Sequence, residues 1–280
     1  MRVTSAKLGP DLAGLLAAYE VVRSEEITRL ASTTRQRGAF MFELVDATRL
    51  KGRRFETAAR ARAVEVLRAQ LGELVAPLIA VAGDAFLLAW VEGASLEVMA
   101  PLPLPLLHRC GELLGALHAR HVDSEGTVEA LVAKLERSAA VLVEADLVDA
   151  ETARRWVLSG LRRRPEKVVN GLVLRDYCPE NLVLRADGAL VYIDEANLTV
   201  GPLDHDLART WHRWPMGPDE WASFVAGYEL HRSTATFRAH LPFWVALTLL
   251  SGAALRTRLQ VPGAQDYIAR LANVLGEFDR

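Results

Sequence analysis

Asp176, Asn181 and Asp194 are the residues of this 280-residue chain whose types and spacing point most directly to chemistry. Asp176 stands in the run Leu174-Arg175-Asp176-Tyr177-Cys178-Pro179-Glu180-Asn181, with the amide five residues after the carboxylate. Asp194 closes the next-but-one apolar run, Leu190-Val191-Tyr192-Ile193. Phosphoryl transfer needs one carboxylate to orient an attacking hydroxyl and accept its proton. It also needs an amide and a second carboxylate to hold magnesium on the nucleotide. A few hard oxygen ligands suit Mg²⁺ when phosphates complete its shell. Taken singly, these residues read as a surface Asp, a loop Asn and a strand-end Asp. Their joint spacing favours the metal–phosphate reading.

Those groups must be held by local structure. Leu182-Val183-Leu184 and Leu190-Val191-Tyr192-Ile193 flank Asp187-Gly188, a strong hairpin signal, so Asn181 and Asp194 fall at the two ends of one predicted hairpin. Upstream, residues 9–22 have the spacing of a short helix. Segments 27–30, 39–45 and 48–51 read as three antiparallel strands, with 32–38 as the first loop and Asp46-Ala47 as a tight turn. Thr57 to Leu71 reads as a helix stopped by Gly72, and 75–81 with 85–90 as a second hairpin. Helical periodicity then covers about 104–121, 127–145, 150–162, 218–231, 242–258 and 264–278. The order implies residues 1–92 as a small β-rich domain and 93–280 as a larger helical one.

Composition narrows the class. The chain is 51% hydrophobic and carries a formal net charge of −2, so it can bury a large core and has no basic field for nucleic acid or an anionic membrane surface. Its apolar stretch from Pro242 to Leu255 is too short to span a bilayer. Two cysteines, Cys110 and Cys178, make no disulfide framework, and the N-terminus shows no signal sequence, so a reduced cytoplasmic setting is expected. Lysine is scarce, at Lys7, Lys51, Lys134 and Lys167, which leaves few candidates for a phosphate-binding lysine.

Further motifs carry a resemblance. Arg175 to Asn181 looks like an Asp-x-x-x-x-Asn catalytic loop, Ile193-Asp194 like a metal-binding Ile-Asp pair, and Gly201-Pro202-Leu203-Asp204-His205-Asp206-Leu207-Ala208 like a Gly-x-x-x-x-Asp-Leu-Ala segment. Leu114-Gly115-Ala116-Leu117-His118-Ala119 is similar to a Leu-x-x-Leu-His-x helix ending. Together they resemble the aminoglycoside phosphotransferase-like branch of the protein kinase-like fold, which includes choline-type and other small-molecule kinases. The resemblance implies an α+β, bilobal protein kinase-like fold with a β-rich N-lobe and a mainly helical C-lobe. It implies Asp176 as catalytic base, Asn181 and Asp194 as ligands of Mg²⁺, and Asp206 as a structural carboxylate tying a helix start to the catalytic loop, with Asp204 the rival.

By the same resemblance Lys51 bridges the phosphates of ATP or GTP and a helix glutamate, Glu65 in preference to Glu56. Arg49 and Arg53, at period two on the same strand face, compete with Lys51. Residues 88–93 would form the hinge, holding adenine through the backbone of Ala89 and Val91, with Gly93 as the turn. The sequence departs from the family at Leu174, where a His is usual, and in loop 32–38, which lacks a Gly-x-Gly-x-x-Gly. It also departs from protein kinases at Glu195, where they have Phe-Gly.

The expected partners are a nucleotide and a small-molecule hydroxyl acceptor. Aminoglycosides or other antibiotics, sugars and amino alcohols are all open, as is a monomer or homodimer. A polycationic acceptor would draw on Glu180, Glu195, Asp204, Asp219 and Glu220, and Trp211, Trp214 and Trp221 could line its pocket. The alternative is a catalytically weak pseudokinase serving as a nucleotide-binding or scaffolding module.

Overall fold

The structure, a computed structural model, describes residues 5–27, 38–120 and 124–278. By internal contacts the chain forms two compact units. One comprises Met1–Leu102 with Pro179–Thr199, the other Pro103–Cys178 with Val200–Arg280.

The first unit begins with α1 (Ser5–Leu16), which turns at Gly9, and continues through β1 (Val21–Glu26), β2 (Gly38–Leu44) and β3 (Arg49–Arg54). Helix α2 (Ala58–Arg68) follows, then β4 (Leu78–Ala82), β5 (Ala85–Ala89) and the short β6 (Ala94–Ser95). The main sheet runs β1-β2-β3-β5-β4, antiparallel throughout. Its alternating pattern turns Phe40, Phe42, Leu50 and Leu87 onto Leu12 and Leu16 of α1, and Phe86 and Leu88 onto Ala61 and Val64 of α2.

The second unit carries α3 (Leu104–His118), β7 (Glu125–Gly126), α4 (Val128–Glu144), α5 (Ala150–Leu161) and β8 (Val168–Val173). The chain then returns to the first unit for β9 (Leu182–Leu184) and β10 (Leu190–Tyr192). β11 (Thr199–Pro202) leads back to α6 (Leu203–Arg213), α7 (Pro218–Tyr228), α8 (Ala235–Ala239), α9 (Leu241–Leu259) and α10 (Ala264–Phe278). β8 lies between β11 and β7. Helix α9 is buried along most of its length, from Phe243 to Ala254. Threonine and aspartate caps start three of the helices: Thr57 accepts from Arg60 N, Thr127 from Ala130 N and Asp149 from Thr152 N.

α3 and α7 approach closely because each has a glycine at the contact. A Cβ on Gly111 would sit 1.8 Å from the Phe224 carbonyl oxygen, and one on Gly227 1.8 Å from that of His108. Gly93 has φ 148 and a Cβ there would meet the Leu184 carbonyl, so this turn admits only glycine.

Several elements differ from the sequence reading. The first helix ends at Leu16, and the first strand is 21–26. Of the predicted strand 27–30, residues 28–30 lie outside the described residues, as do 31–37 of the first loop. Tertiary pairing with β2 makes a strand of Val21–Glu26, although its side chains are mostly solvated and give little apolar signal. Strand β8 and helix α6 escaped the periodicity scan. β8 is buried only from Gly171 to Val173, with Val169 exposed, so it shows no steady alternation, and α6 has charged residues in its buried first turn. Residues 218–231 end as a helix at Tyr228, followed by α8. The division into units also differs from a cut after residue 92: Ala94 and Ser95 pair with Leu184 and Val183, which draws that hairpin into the first unit.

Candidate active site

In the first unit the hairpin β9–β10 pairs Leu182 with Tyr192, Val183 with Val191 and Leu184 with Leu190. Its turn closes as the Asp-Gly signal predicts, with Gly188 at φ 85 and Ala189 N donating to Asp187 Oδ1 at 3.0 Å. One register step beyond Tyr192, Ile193 N donates to Asn181 O at 2.9 Å. Asn181 and Asp194 are therefore brought to the same end of one hairpin, Asn181 buried and the Asp194 side chain 23% exposed.

The three cations of β3 sort among different partners. Lys51 is buried, and its Nζ donates to Ile193 O, immediately before Asp194. Arg53, two residues along, places Nη1 3.3 Å from Asp194 Oδ1. Arg49 instead pairs with Glu92 and lies over the Trp90 ring. Glu65 is not brought to Lys51: it pairs with Arg62 on its own helix at 2.6 Å. The expected lysine–glutamate bridge is replaced by contacts of opposite polarity. Helix α2 supplies cations, Arg68 lying 3.8 Å from Glu195 Oε1 and Arg60 donating to Ala196 O and Leu198 O at 2.8 Å each. Glu195 is 2% exposed, and among the described residues its two oxygens have no hydrogen-bond donor.

At the predicted hinge, Ala89 N donates to Pro77 O at 2.9 Å and Trp90 N to Arg49 O at 3.3 Å. The backbone N–H of Ala89 is thus committed to the sheet, and that pairing ends before Val91.

In the second unit β8 delivers Leu174, and Arg175 at φ 61 turns the chain so that Asp176 leaves the strand line. Asp206 of α6 holds this turn: its Oδ2 accepts from Leu174 N at 2.9 Å and its Oδ1 from Arg175 N at 2.7 Å. His118 Nε2 lies 3.2 Å from Asp206 Oδ2, and His118 Nδ1 2.9 Å from Tyr228 Oη. This chain of groups is wholly buried, and burial raises the Tyr228 phenol above its ordinary value. Asp204, the rival, is also buried, and its carboxyl is pushed up by that burial.

Two further α6 residues act on the same loop. Arg209 Nε donates to Arg175 O at 2.6 Å. Arg213 Nε lies 3.1 Å from Asp176 Oδ1, close enough for an ion pair though the N–H is not aligned for a hydrogen bond. Asp206, Arg209 and Arg213 follow the i, i+3, i+7 spacing that lines one helix face. That spacing was the available signal for Arg209 and Arg213, which sequence reasoning missed. Nothing local marks Tyr228.

Behind Asp176, Tyr177 donates to Cys110 O at 2.7 Å and packs near Trp214 and Phe224. Trp221 stacks on Phe224, and Trp211 lies under Arg270. Trp214 and Trp221 thus belong to the aromatic support of the loop. Burial pushes the Cys110 thiol up to about 12, far from a thiolate nucleophile at neutral pH.

Among the described residues no group of three or more His, Cys, Asp or Glu gathers to hold a metal. The oxygen pair at the hairpin end, an amide and a carboxylate, suits Mg²⁺ that takes its remaining ligands from phosphate and water. The carboxylates proposed for a polycationic acceptor are occupied otherwise in part: Glu195 is buried beside Arg68, Asp204 is buried, and Glu220 accepts from Gly217 N at 2.7 Å.

No curated protein matches the chain by sequence. Solved structures do match its fold. Choline kinase LicA from Streptococcus pneumoniae superposes with a TM-score of 0.71 at 14% identity, covering 95% of this chain and 97% of that one. Macrolide 2′-phosphotransferase MphH from Brachybacterium faecium gives 0.67 at 15% identity, covering 96% and 98%. The streptomycin–ATP–APH(2″)-IIa ternary complex gives 0.61 at 13% identity, covering 98% and 97%. At such identities the likeness shows the protein kinase-like fold, with a β-sheet N-terminal part and a helical C-terminal part. None of these comparisons supports the pseudokinase alternative. The model of the phosphotransferase enzyme family matches residues 53–243, more than half of the chain, and so this protein belongs to that family of small-molecule kinases.

Proposed function

We propose that this enzyme transfers the terminal phosphoryl group of ATP or GTP to a hydroxyl of a small molecule, with Asp176 as the base. The observation that carries this reading is the double hydrogen bond from Leu174 N and Arg175 N to the buried Asp206. It fixes the backbone on the N-terminal side of Asp176 and leaves the carboxylate 27% exposed, available to an acceptor hydroxyl. Asp176 orients that hydroxyl and takes its proton as the oxygen attacks phosphorus. Arg213, with Nε 3.1 Å from Asp176 Oδ1, helps to hold that carboxylate in place.

Asn181 and Asp194 are the residues that would hold Mg²⁺, which when bound neutralises charge on the nucleotide phosphates. Lys51 and Arg53 of β3 would serve the same phosphates, and Arg53, now paired with Asp194, would be left to phosphate if that carboxylate held the metal. Adenine or guanine would meet the backbone around Val91. Most of the rate in such a reaction comes from positioning and electrostatic stabilisation. Choline, macrolides and aminoglycosides are the acceptors of the similar structures, and antibiotics, sugars and amino alcohols are the classes to test. A nucleotide-using enzyme of this kind belongs in the cytoplasm; among the described residues no helix is long and apolar enough to cross a membrane.

The test is incubation with Mg²⁺ and ATP or GTP against those acceptors, with mass spectrometry to detect an added phosphoryl group. Asp176→Asn should lower turnover by about 10²–10⁴-fold, the usual contribution of a positioned base. Undiminished transfer by that variant would reject Asp176 as the base.

A further inference from the structure

Asp194 stands between two anchors in the first unit. Ile193, on one side, is held by its N–H to Asn181 O and by Lys51, which bonds its carbonyl. Glu195, on the other side, opens the short turn Glu195–Asn197, to which Asp194 gives no side-chain cap. That turn is held instead by the face of α2 that carries Arg60, Val64 and Arg68 at i, i+4 and i+8. Arg60 donates to Ala196 O and Leu198 O at 2.8 Å each, and Ala196 shares a core cluster with Ala61 and Val64. Arg68 lies 3.8 Å from Glu195 Oε1. It also donates to Ala76 O, and the adjoining Val75 bridges to Tyr192, two residues before Asp194.

The Arg68–Glu195 pair is a poor source of stability. Its side chains are 7% and 2% exposed, and Arg68 Nε and both Glu195 oxygens have no hydrogen-bond partner among the described residues. Burying two opposite charges costs more than their attraction returns unless hydrogen bonds complete the pair. Apolar side chains of similar size would hold α2 at least as firmly. What the charged pair adds is register: it ties one residue of the turn to one residue of the helix, where an apolar contact lets them slide. The residue so tied is the one next to Asp194. Glu65, the carboxylate expected to tie α2 to β3, pairs with Arg62 instead.

We propose that Arg68 and Glu195 are positioning residues for Asp194: their buried pair fixes the backbone after Asp194 to α2 and so sets the aim of its carboxylate at Mg²⁺. This rests on the reading of Asp194 as a Mg²⁺ ligand in a phosphotransferase. The polarity of the expected lysine–glutamate bridge is reversed, with the cation on the helix and the carboxylate beside the metal ligand.

Two measurements test it on wild type, on Arg68→Met combined with Glu195→Leu, and on Glu195→Gln, which keeps the shape and removes the charge. The first is amide hydrogen exchange without nucleotide or metal. Exchange in 193–198 should quicken by about tenfold in the double variant, equivalent to one lost charge-assisted contact, with peptides of α9 unchanged. Glu195→Gln should move the same peptides in the same direction, and it carries the test alone if the double variant does not fold. Unchanged exchange in 193–198, or a loosening shared equally by α9, would overturn the proposal.

The second is calorimetry of ATP binding at rising Mg²⁺. The Mg²⁺ concentration at half-effect should rise by about 10–100-fold in the double variant, the usual cost of removing a group that orients a metal ligand, while ATP binding in EDTA stays unchanged. An unchanged Mg²⁺ requirement, or equal weakening with and without the metal, would overturn the proposal. Wild-type protein that binds ATP without regard to Mg²⁺, with the exchange result intact, would instead count against the phosphotransferase reading alone.

Discussion

The loop of the second unit that carries the proposed base, Asp176, and the hairpin end of the first unit are held by opposite strategies. Asp206 grips the loop through a buried, fully bonded series running from Tyr228 through His118 to two backbone amides. Asp194 is held by an ion pair with Arg53 at 3.3 Å, with Lys51 bonded to the neighbouring carbonyl. Water-excluded hydrogen bonds resist exchange, because breaking one strands a polar group in low dielectric. A partly exposed ion pair is cheap to exchange for another ligand. The comparison teaches that the loop carrying the proposed base is preorganised, whereas the proposed metal ligands are kept in place by cations that a metal and phosphates can replace.

The strongest way to break this contrast is Asp206→Ala. It strands the amides of Leu174 and Arg175 and removes the partner of His118, so unfolding free energy should fall by about 3 kcal/mol with turnover lost alongside. Chemical denaturation showing no change would refute the preorganised loop. Tyr228→Phe removes one end of the series and should cost about 1 kcal/mol by the same measurement. A cost equal to that of Asp206→Ala would mean that the helix contact, and not the hydrogen bond, carries the effect. Asp194→Ala should alter stability by less than about 1 kcal/mol, since it removes only a partly exposed pair, yet abolish Mg²⁺-dependent nucleotide binding in calorimetry. Retained metal dependence would remove Asp194 from the metal site.

His212 sharpens the comparison from the acid side and should have the smallest effect at neutral pH. Burial first, and then Arg270, Arg213, Arg209 and Arg256, lower it from 6.5 to about 3. Because the folded form keeps the imidazole neutral, its contribution to stability is complete above pH 6.5 and is lost as pH falls towards about 3. His212→Gln should leave stability near pH 7 little changed and flatten the decline between those limits. Parallel acid curves for the two proteins would show that His212 does not titrate in this way.

Much of the hairpin end was legible because it is local. Asp187-Gly188 with flanking apolar runs sets the turn and register, and these bring Asn181 and Asp194 to one end without help from distant residues. Lys51 was legible as a strand lysine, but its partner was not. Glu65 has the residue type expected at that helix, and only the angle of the α2 face against the 195–198 segment puts Arg60 and Arg68 there instead. The element scan likewise missed β1, whose edge pairing gives no apolar alternation, and α6, whose buried turn is charged.

The sequence by itself determined the family and the type of chemistry, and it proposed residues adjacent in the chain to perform it, because turn chemistry and motif spacing act over a few residues. Tertiary structure alone decided what surrounds those residues. His118, Tyr228 and Arg213 reach the support of the loop around Asp176 from three different helices, a convergence that helix packing sets and chain spacing does not encode.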